Sequence, residues 1–462
     1  MKFSFLALAG LSLAGLTRAA DLPALWAERV KSTVAVEYVV ETEVDRRPGT
    51  SYGMVVDAVG TIVIPSGAID ARVEPKQLKD FRIYLPDDPA YSVGEYLGQD
   101  GLTGWHFIRA EEKVRAKLVP ITAFAAKGAS PVPALAENVW GIGLRNKDED
   151  FAPYLLTSQV ALIQSLPQRT AIAQREVAAP GLPVFNAEGI FVGLAAPAFG
   201  QSYLQFSRAY HDGAPILLVN VEESSAFQLA EEVLPNLGRI PKNIYGRPLA
   251  WLGAYGLEPV DREVARFLKL EARSGAVVSE VLEGSPAEKG GLRGHDIILA
   301  LDGKPLPRFK PDNVVVSFVE REIEKRSPGD TFVLTVLRGT ETIEIKTVLG
   351  EEPKLMREAG RKYFDKLGFT AREFVYGDAV VRRSKTTELA GIVANFVRPN
   401  SPAAIAGLRI DDWIREIDGV EVPDFDTAIA KLSAIETDAT RLEFIMLVAR
   451  GGETAVLRVK LR

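Results

Sequence analysis

Between residues 21 and 220 the apolar positions fall in short β-rich runs: "STVAVEYVVETEV", "YGMVVDAVGTIVIP", "FRIYLP", "PYLLTSQVALIQSL", "GIFVGLAAP" and "YLQFS". Breakers separate them, which predicts an all-β sandwich or barrel. Within this region "EVAAPGLPVFNAEGIFVGLAAP" (Glu176 to Pro197) predicts strand, turn, strand: Pro183 to Asn186, an Asn-Ala-Glu-Gly turn, then Gly189 to Leu194. Farther on, "VNVEESSAFQLAEEVLPNLGRIPKN" (Val219 to Asn243) spaces Phe227, Leu229, Ala230, Val233 and Leu234 as an amphipathic helix would. "LGEEPKLMREAGRKYFDK" (Leu349 to Lys366) is charged and predicts a helical link with a solvated face.

The second half repeats itself. "GSPAEKGGLRGHDIILALDG" (Gly284 to Gly303) and "NSPAAIAGLRIDDWIREIDG" (Asn400 to Gly419) share ten of twenty residues without a gap, at an offset of 116. That spacing is domain-sized, so a whole domain is duplicated. In each copy Ser-Pro supplies an N-cap and a first-turn proline: Ser285-Pro286 and Ser401-Pro402. A short helix then ends at Gly-Leu, an apolar strand follows, and Asp302-Gly303 or Asp418-Gly419 makes a tight hairpin turn. Upstream lie another strand, "GAVVSEVL" or "AGIVANFV", and before that "WLGAYGLE" or "KLGFTARE". "FDTAIAKLSAI" (Phe425 to Ile435) predicts a helix in the second copy.

Composition narrows the function. The chain has 462 residues, enough for about three domains, with 47% hydrophobic and 25% charged residues. Its net charge of −6 offers no basic excess for nucleic acid. There is no cysteine, and the histidines are His106, His211 and His295, so neither a metal site nor a cofactor is expected. His106 falls on a strand and predicts a packing role; His211 and His295 fall in turns and predict solvated side chains. The first residues, "MKFSFLALAGLSLAGLTRAA", read as a secretory signal, giving an exported protein, periplasmic or secreted, with no membrane span once the signal is removed.

The repeated units, with Leu-Gly followed about 33 residues later by Ser-Pro-Ala, resemble PDZ domains of the kind attached to HtrA/DegP-like proteases. Three segments ahead of them, "YGMVVDAVGTIVIPSGAID", "GLTGWHFIRA" and the Glu176 to Pro197 stretch, resemble segments of trypsin-like HtrA proteases in the right order. The resemblance implies a mainly β chain: a chymotrypsin-like double β-barrel followed by two α+β PDZ domains. The expected division is a signal peptide over 1–20, the barrels over 21–240, PDZ domains over 245–350 and 362–462, and a linker over 351–361. It also implies peptide sites. The Leu-Gly loops, Leu252, Gly253 and Ala254 and then Leu367, Gly368 and Phe369, would hold a ligand's terminal carboxylate by their amides, the ligand adding as a strand. Ile429 and Leu432 would wall the second groove.

The same resemblance exposes substitutions. Aligned on Gly53, Asp57 and Gly60, the family's histidine position is Gly67; the aspartate position is Gly104; and Pro180-Gly181-Leu182-Pro183 omits the serine. Removing such a triad lowers turnover about a millionfold in serine proteases. The sequence therefore predicts no enzyme: a pseudoprotease binding proteins or peptides with exposed C-termini or extended segments, as adaptor, scaffold or chaperone. The alternatives are an active HtrA-like endopeptidase with a relocated or misaligned site, or a regulatory subunit of an active protease. By analogy with the family the assembly is a homo-oligomer, a trimer, or a complex with an active protease.

Overall fold

The computed structural model describes residues 21–461 except 71–72, 165–167, 197–203, 207–214, 219–223, 271–273, 310–311 and 385–388 and positions 247 and 269. The expected signal segment and His211 lie outside the described residues.

Six strands form the first closed barrel: β1 (Thr33–Glu41), β2 (Arg46–Val55), β3 (Thr61–Ile64), β4 (Leu78–Tyr84), β5 (Tyr91–Gln99) and β6 (His106–Ala110), in the order β1-β2-β3-β6-β5-β4. The second barrel takes β7 (Asn138–Leu144), β8 (Pro153–Gln164), β9 (Thr170–Ala173), β10 (Pro183–Asn186) and β11 (Phe191–Ala195). An antiparallel pair, β12 (Leu204–Phe206) and β13 (Pro215–Leu218), follows, and β14 (Ala226–Leu229) closes that barrel in the order β10-β11-β14-β9-β8-β7.

This closure corrects the helix expected over 219–243. Phe227 and Leu229 alternate with Gln228 as a strand requires, and pairing with β9 and β11 takes that segment into the barrel. Among its described residues only Ala230–Val233 is α-helical, and Leu234–Asn236 is a 3-10 turn containing Pro235.

Each barrel has its own apolar interior, one around Val36, Ile62 and Ile108, the other around Val160, Val184 and Phe227. A larger cluster joins them. Ala35, Met54, Val63 and Phe107 of the first barrel pack with Trp140, Leu182, Phe185 and Phe191 of the second and with Val233 and Leu237 beyond it. The N-terminal helix Leu22–Arg29 is clamped to this seam by Arg29, whose Nε and Nη2 donate to the Gly189 carbonyl at 3.1 and 3.0 Å.

The first PDZ unit contains β15 (Ala250–Trp251), β16 (Ala254–Tyr255), β17 (Glu258–Pro259), β18 (Ala276–Val277), β19 (Glu280–Val281), β20 (Ile297–Leu301), β21 (Lys304–Pro305), β22 (Thr331–Arg338), β23 (Glu341–Val348) and β24 (Gly350–Glu351). Its long helix is Val314–Glu324, with Val315, Val319 and Ile323 turned into the core. The second unit contains β25 (Arg361–Phe364), β26 (Phe369–Glu373), β27 (Ile392–Val397), β28 (Trp413–Ile417), β29 (Val420–Glu421), β30 (Glu443–Arg450) and β31 (Glu453–Lys460), with the helix Phe425–Thr437.

The repeat is visible in hydrogen bonds. Ser285 Oγ accepts from the Glu288 amide at 3.1 Å and Ser401 Oγ from the Ala404 amide at 3.2 Å. Asp302-Gly303 and Asp418-Gly419 both adopt positive φ, the conformation of a two-residue hairpin turn. Arg338 and Arg450 each fork onto a buried aspartate, Asp296 and Asp412, at 2.5 to 2.7 Å.

The helical link expected over 349–366 is also corrected: this stretch gives β24, turns through residues 356–358, and then β25. Pro353 and Gly360 interrupt a helix there, and β25 gains a strand partner in β26.

Candidate functional site

Two regions hold the chemistry that the sequence brings forward: the barrel seam and the PDZ loops. At the seam the three protease-like segments converge. Gly104 has φ +69, and a Cβ there would lie 2.8 Å from Ser66 Cβ; Gly181 has φ +83, and a Cβ there would lie 2.6 Å from Pro65 Cδ. Both are positions where only glycine fits without displacement. So the segments around residues 65–67, 104 and 181–182 meet, with Ser66 and Gly67 exposed beside the junction.

Leu182 is fully buried and belongs to the apolar cluster of the seam. The amides of Gly181 and Leu182 are turned inward, donating to Ala195 and Ala179 carbonyls at 2.9 and 3.0 Å. An oxyanion site needs amides aimed at the substrate, and these two are committed to the fold.

His106, two residues past Gly104, is 3% exposed. Burial pushes it down to about 4, the neighbouring Ser66 backbone working the other way, so the ring is neutral at neutral pH. Its Nδ1 shares a hydrogen bond with the Tyr96 hydroxyl at 2.9 Å. His295 sits on an exposed turn with φ 69.

Sequence reasoning missed the ion pair beneath the junction. Asp100 accepts from the Thr103 amide and hydroxyl at 2.9 Å, and Arg239 Nε donates to both of its oxygens at 3.1 Å. Asp100 shapes the loop that carries Gly104, whose amide donates to the Asp100 carbonyl. No local spacing joins residues 139 apart.

The PDZ loops are built alike. Leu252 is buried, and its carbonyl accepts from the Ala287 amide at 2.8 Å; Gly253 has φ +81, and its carbonyl accepts from Leu282 at 3.0 Å. A Cβ on Gly253 would lie 2.2 Å from Ser285 Cβ. In the second unit Leu367 is buried, its carbonyl accepting from Ala403 at 3.1 Å. Gly368 has φ +77, its carbonyl accepting from Arg398 at 2.8 Å. A Cβ there would lie 2.1 Å from Ser401 Cβ. Ala254 opens β16, and Phe369 opens β26 from within the core. Leu432 lies wholly in the core of the second unit, with Ile429 half-buried against it.

Beyond the loops the two units diverge. β16 and β17 pair on one side only among the described residues, with β19 and β18. β26 pairs on both sides, with β27 and with β25.

Residues 253–349 and 394–445 each match the PDZ domain family. The chain is 27% identical over 204 residues to a probable periplasmic serine endoprotease, DegP-like, of Chlamydia pneumoniae, covering 44% of this chain and 39% of the relative. It is 27% identical over 289 residues to the protein of that name from Ectopseudomonas mendocina, covering 61% and 54%. The chain thus matches between about two-fifths and about half the length of these relatives. The HtrA-type protease AlgW with decapeptide superposes with a TM-score of 0.48 at 14% identity, covering 72% of this chain and 98% of that one. The expectation that the chain is not an enzyme is corrected here, since the relatives it resembles are named serine endoproteases. Among the described residues no helix is long and apolar enough to cross a membrane. The chain is therefore similar, over part of its length, to DegP-like periplasmic endoproteases, and it has two closed six-stranded barrels followed by two units that match the PDZ domain family.

Proposed function

We propose that this chain captures polypeptides through its first PDZ domain and holds them beside the two barrels for HtrA-type endopeptidase action. The observation that carries the capture reading is the Leu252–Gly253–Ala254 loop leading into β16 and β17, whose outer edge is unpaired among the described residues. A peptide terminus would seat its carboxylate on the loop amides and add main chain to main chain along that edge. Gly253 supplies the positive φ, +81, that the loop needs and lets it pack against Ser285. Export to the periplasm and the division into 21–240, 245–350 and 362–462 belong to the same reading.

The endopeptidase part comes from the relatives' names. With Leu182 buried in the seam, a nucleophile would lie outside residues 180–183. Ser66, exposed and bordering Gly104, is the serine this reading tests first. The experiment is fluorophosphonate labelling and casein cleavage by the full chain and its Ser66→Ala variant, alongside anisotropy with a fluorescent C-terminal peptide. Labelling and cleavage lost in Ser66→Ala support a relocated site there, and labelling that survives assigns another serine. Peptide binding with neither labelling nor cleavage leaves capture alone, as in an adaptor, scaffold or chaperone. Absence of peptide binding overturns the proposal.

A further inference from the structure

The two PDZ units treat the chain leading into their Leu-Gly loops differently. In the first, that segment pairs with the chain leaving the unit and not with the strand after the loop: Ala250 and Trp251 pair with Glu351 and Gly350. In the second, the lead-in segment lies in the groove. β25 pairs antiparallel with β26, Arg361 with Arg372, Lys362 with Ala371, Tyr363 with Thr370 and Phe364 with Phe369.

Its other side faces the helix Phe425–Thr437. A Cβ on Gly360 would lie 2.9 Å from the Phe425 ring, Lys362 Nζ donates to Ser433 Oγ at 2.8 Å, and the Lys366 amide donates to Glu436 at 2.9 Å. The segment therefore runs from the start of that helix to its end, finishing at the Leu-Gly loop.

This is the direction and placement of a PDZ ligand: antiparallel to the strand after the loop, flanked by the helix, its end at the loop. The detail at that end is closest. The Gly368 amide, which would hold a terminal carboxylate, donates to the Phe364 carbonyl at 2.7 Å. The Phe364 side chain is fully buried against Phe369, ring centroids 5.8 Å apart, where a ligand's last side chain would sit. Lys362 and Phe364 share the face toward the helix, and Tyr363 turns the other way to meet Phe396 at 6.3 Å.

We infer that residues 361–364 act as a built-in ligand that closes the peptide groove of the second PDZ domain, so that the first PDZ domain is the open site. For the identity of an external ligand this rests on the capture reading above; the closure stands without it. A tethered strand competes at a high effective concentration, and a free peptide binds the second groove only in the fraction of molecules where the segment is displaced. Its apparent affinity there falls by that fraction, and we expect at least about tenfold.

Hydrogen exchange of the full chain tests this, with and without a peptide ending in an apolar residue and a free carboxylate. The expected result is slow exchange of 361–364 together with 368–373, unchanged by peptide, while peptide slows 252–259. Exchange of 361–364 at exposed-loop rates, or peptide protection of 367–373 in the unaltered chain, overturns the closure. If peptide protects nothing, the capture reading fails while the exchange of 361–364 still decides the closure. A Lys362→Pro variant, which loses the amide that faces β26 opposite Ala371, should raise the peptides bound per chain from one to two. A folded variant that still binds one would contradict the inference.

Discussion

Replacing Arg372 by Met should unfasten the strand that receives β25. Arg372 Nη1 and Nη2 donate to the two oxygens of Asp378 at 2.7 and 2.8 Å, and the side chains are 4% and 1% exposed. Burial would raise the Asp378 carboxyl, but the Arg372 hydrogen bonds and charge, with the Val375 amide and Arg382, hold it below the ordinary carboxylate range. Removing one partner of a buried pair costs about 3–5 kcal/mol, because a charge is left uncompensated. Here Arg382 Nη1 at 3.1 Å and the Val375 amide at 3.0 Å remain, so the lower end, about 3 kcal/mol, is expected. With a urea slope of about 2 kcal/mol per molar the midpoint should fall by about 1.5 M. Hydrogen exchange of residues 369–381 against urea reads this transition locally. Because the folded pKa is depressed, the carboxylate's stabilising contribution is present above its unfolded value and lost as pH falls through the folded one. The gap between wild type and variant should therefore narrow in acid. The double variant Arg372→Met/Asp378→Leu removes both charges and should recover most of the loss. A midpoint shift under about 0.3 M, or a double variant no better than the single, would refute the reasoning.

His106 gives an acid sensitivity of its own. With a folded pKa of about 4 against an ordinary 6.5, the unfolded chain takes its proton first. Stability should thus fall by up to about 3 kcal/mol as pH drops from 6.5 to 4. Melting curves of His106→Gln, flatter over that window, check it; an unchanged slope would remove His106 as the cause. Ser401→Ala deletes an N-cap and should lower the stability of the second PDZ unit by about 1 kcal/mol, read by the same local exchange, whereas Ser401→Asn should retain most of it.

The duplicated unit was legible because its signals are local: Ser-Pro caps, Asp-Gly turns, and strands bounded by glycine. β14 and β25 were not. Both lie in stretches with mixed polar and apolar spacing, and what makes them strands is a partner elsewhere, β9 and β11 for one and β26 for the other. Tertiary pairing overrides the local pattern in such cases. The Asp100–Arg239 pair and the closed second groove are invisible for the same reason, since each depends on which segments the fold brings side by side.

Capture of a free C-terminus by the first PDZ domain, on the Leu252–Ala254 loop, is what distinguishes the proposed function from its rivals. Calorimetric titration of the full chain with an apolar-ended peptide and its C-terminally amidated twin tests it most directly. The expected result is one site per chain with a dissociation constant on the order of micromolar, about −8 kcal/mol. Amidation and Gly253→Glu should each weaken it at least about tenfold, about 1.4 kcal/mol, and Gly368→Glu should leave it unchanged. Equal affinity for acid and amide, or loss of binding on Gly368→Glu with Gly253→Glu silent, would contradict it.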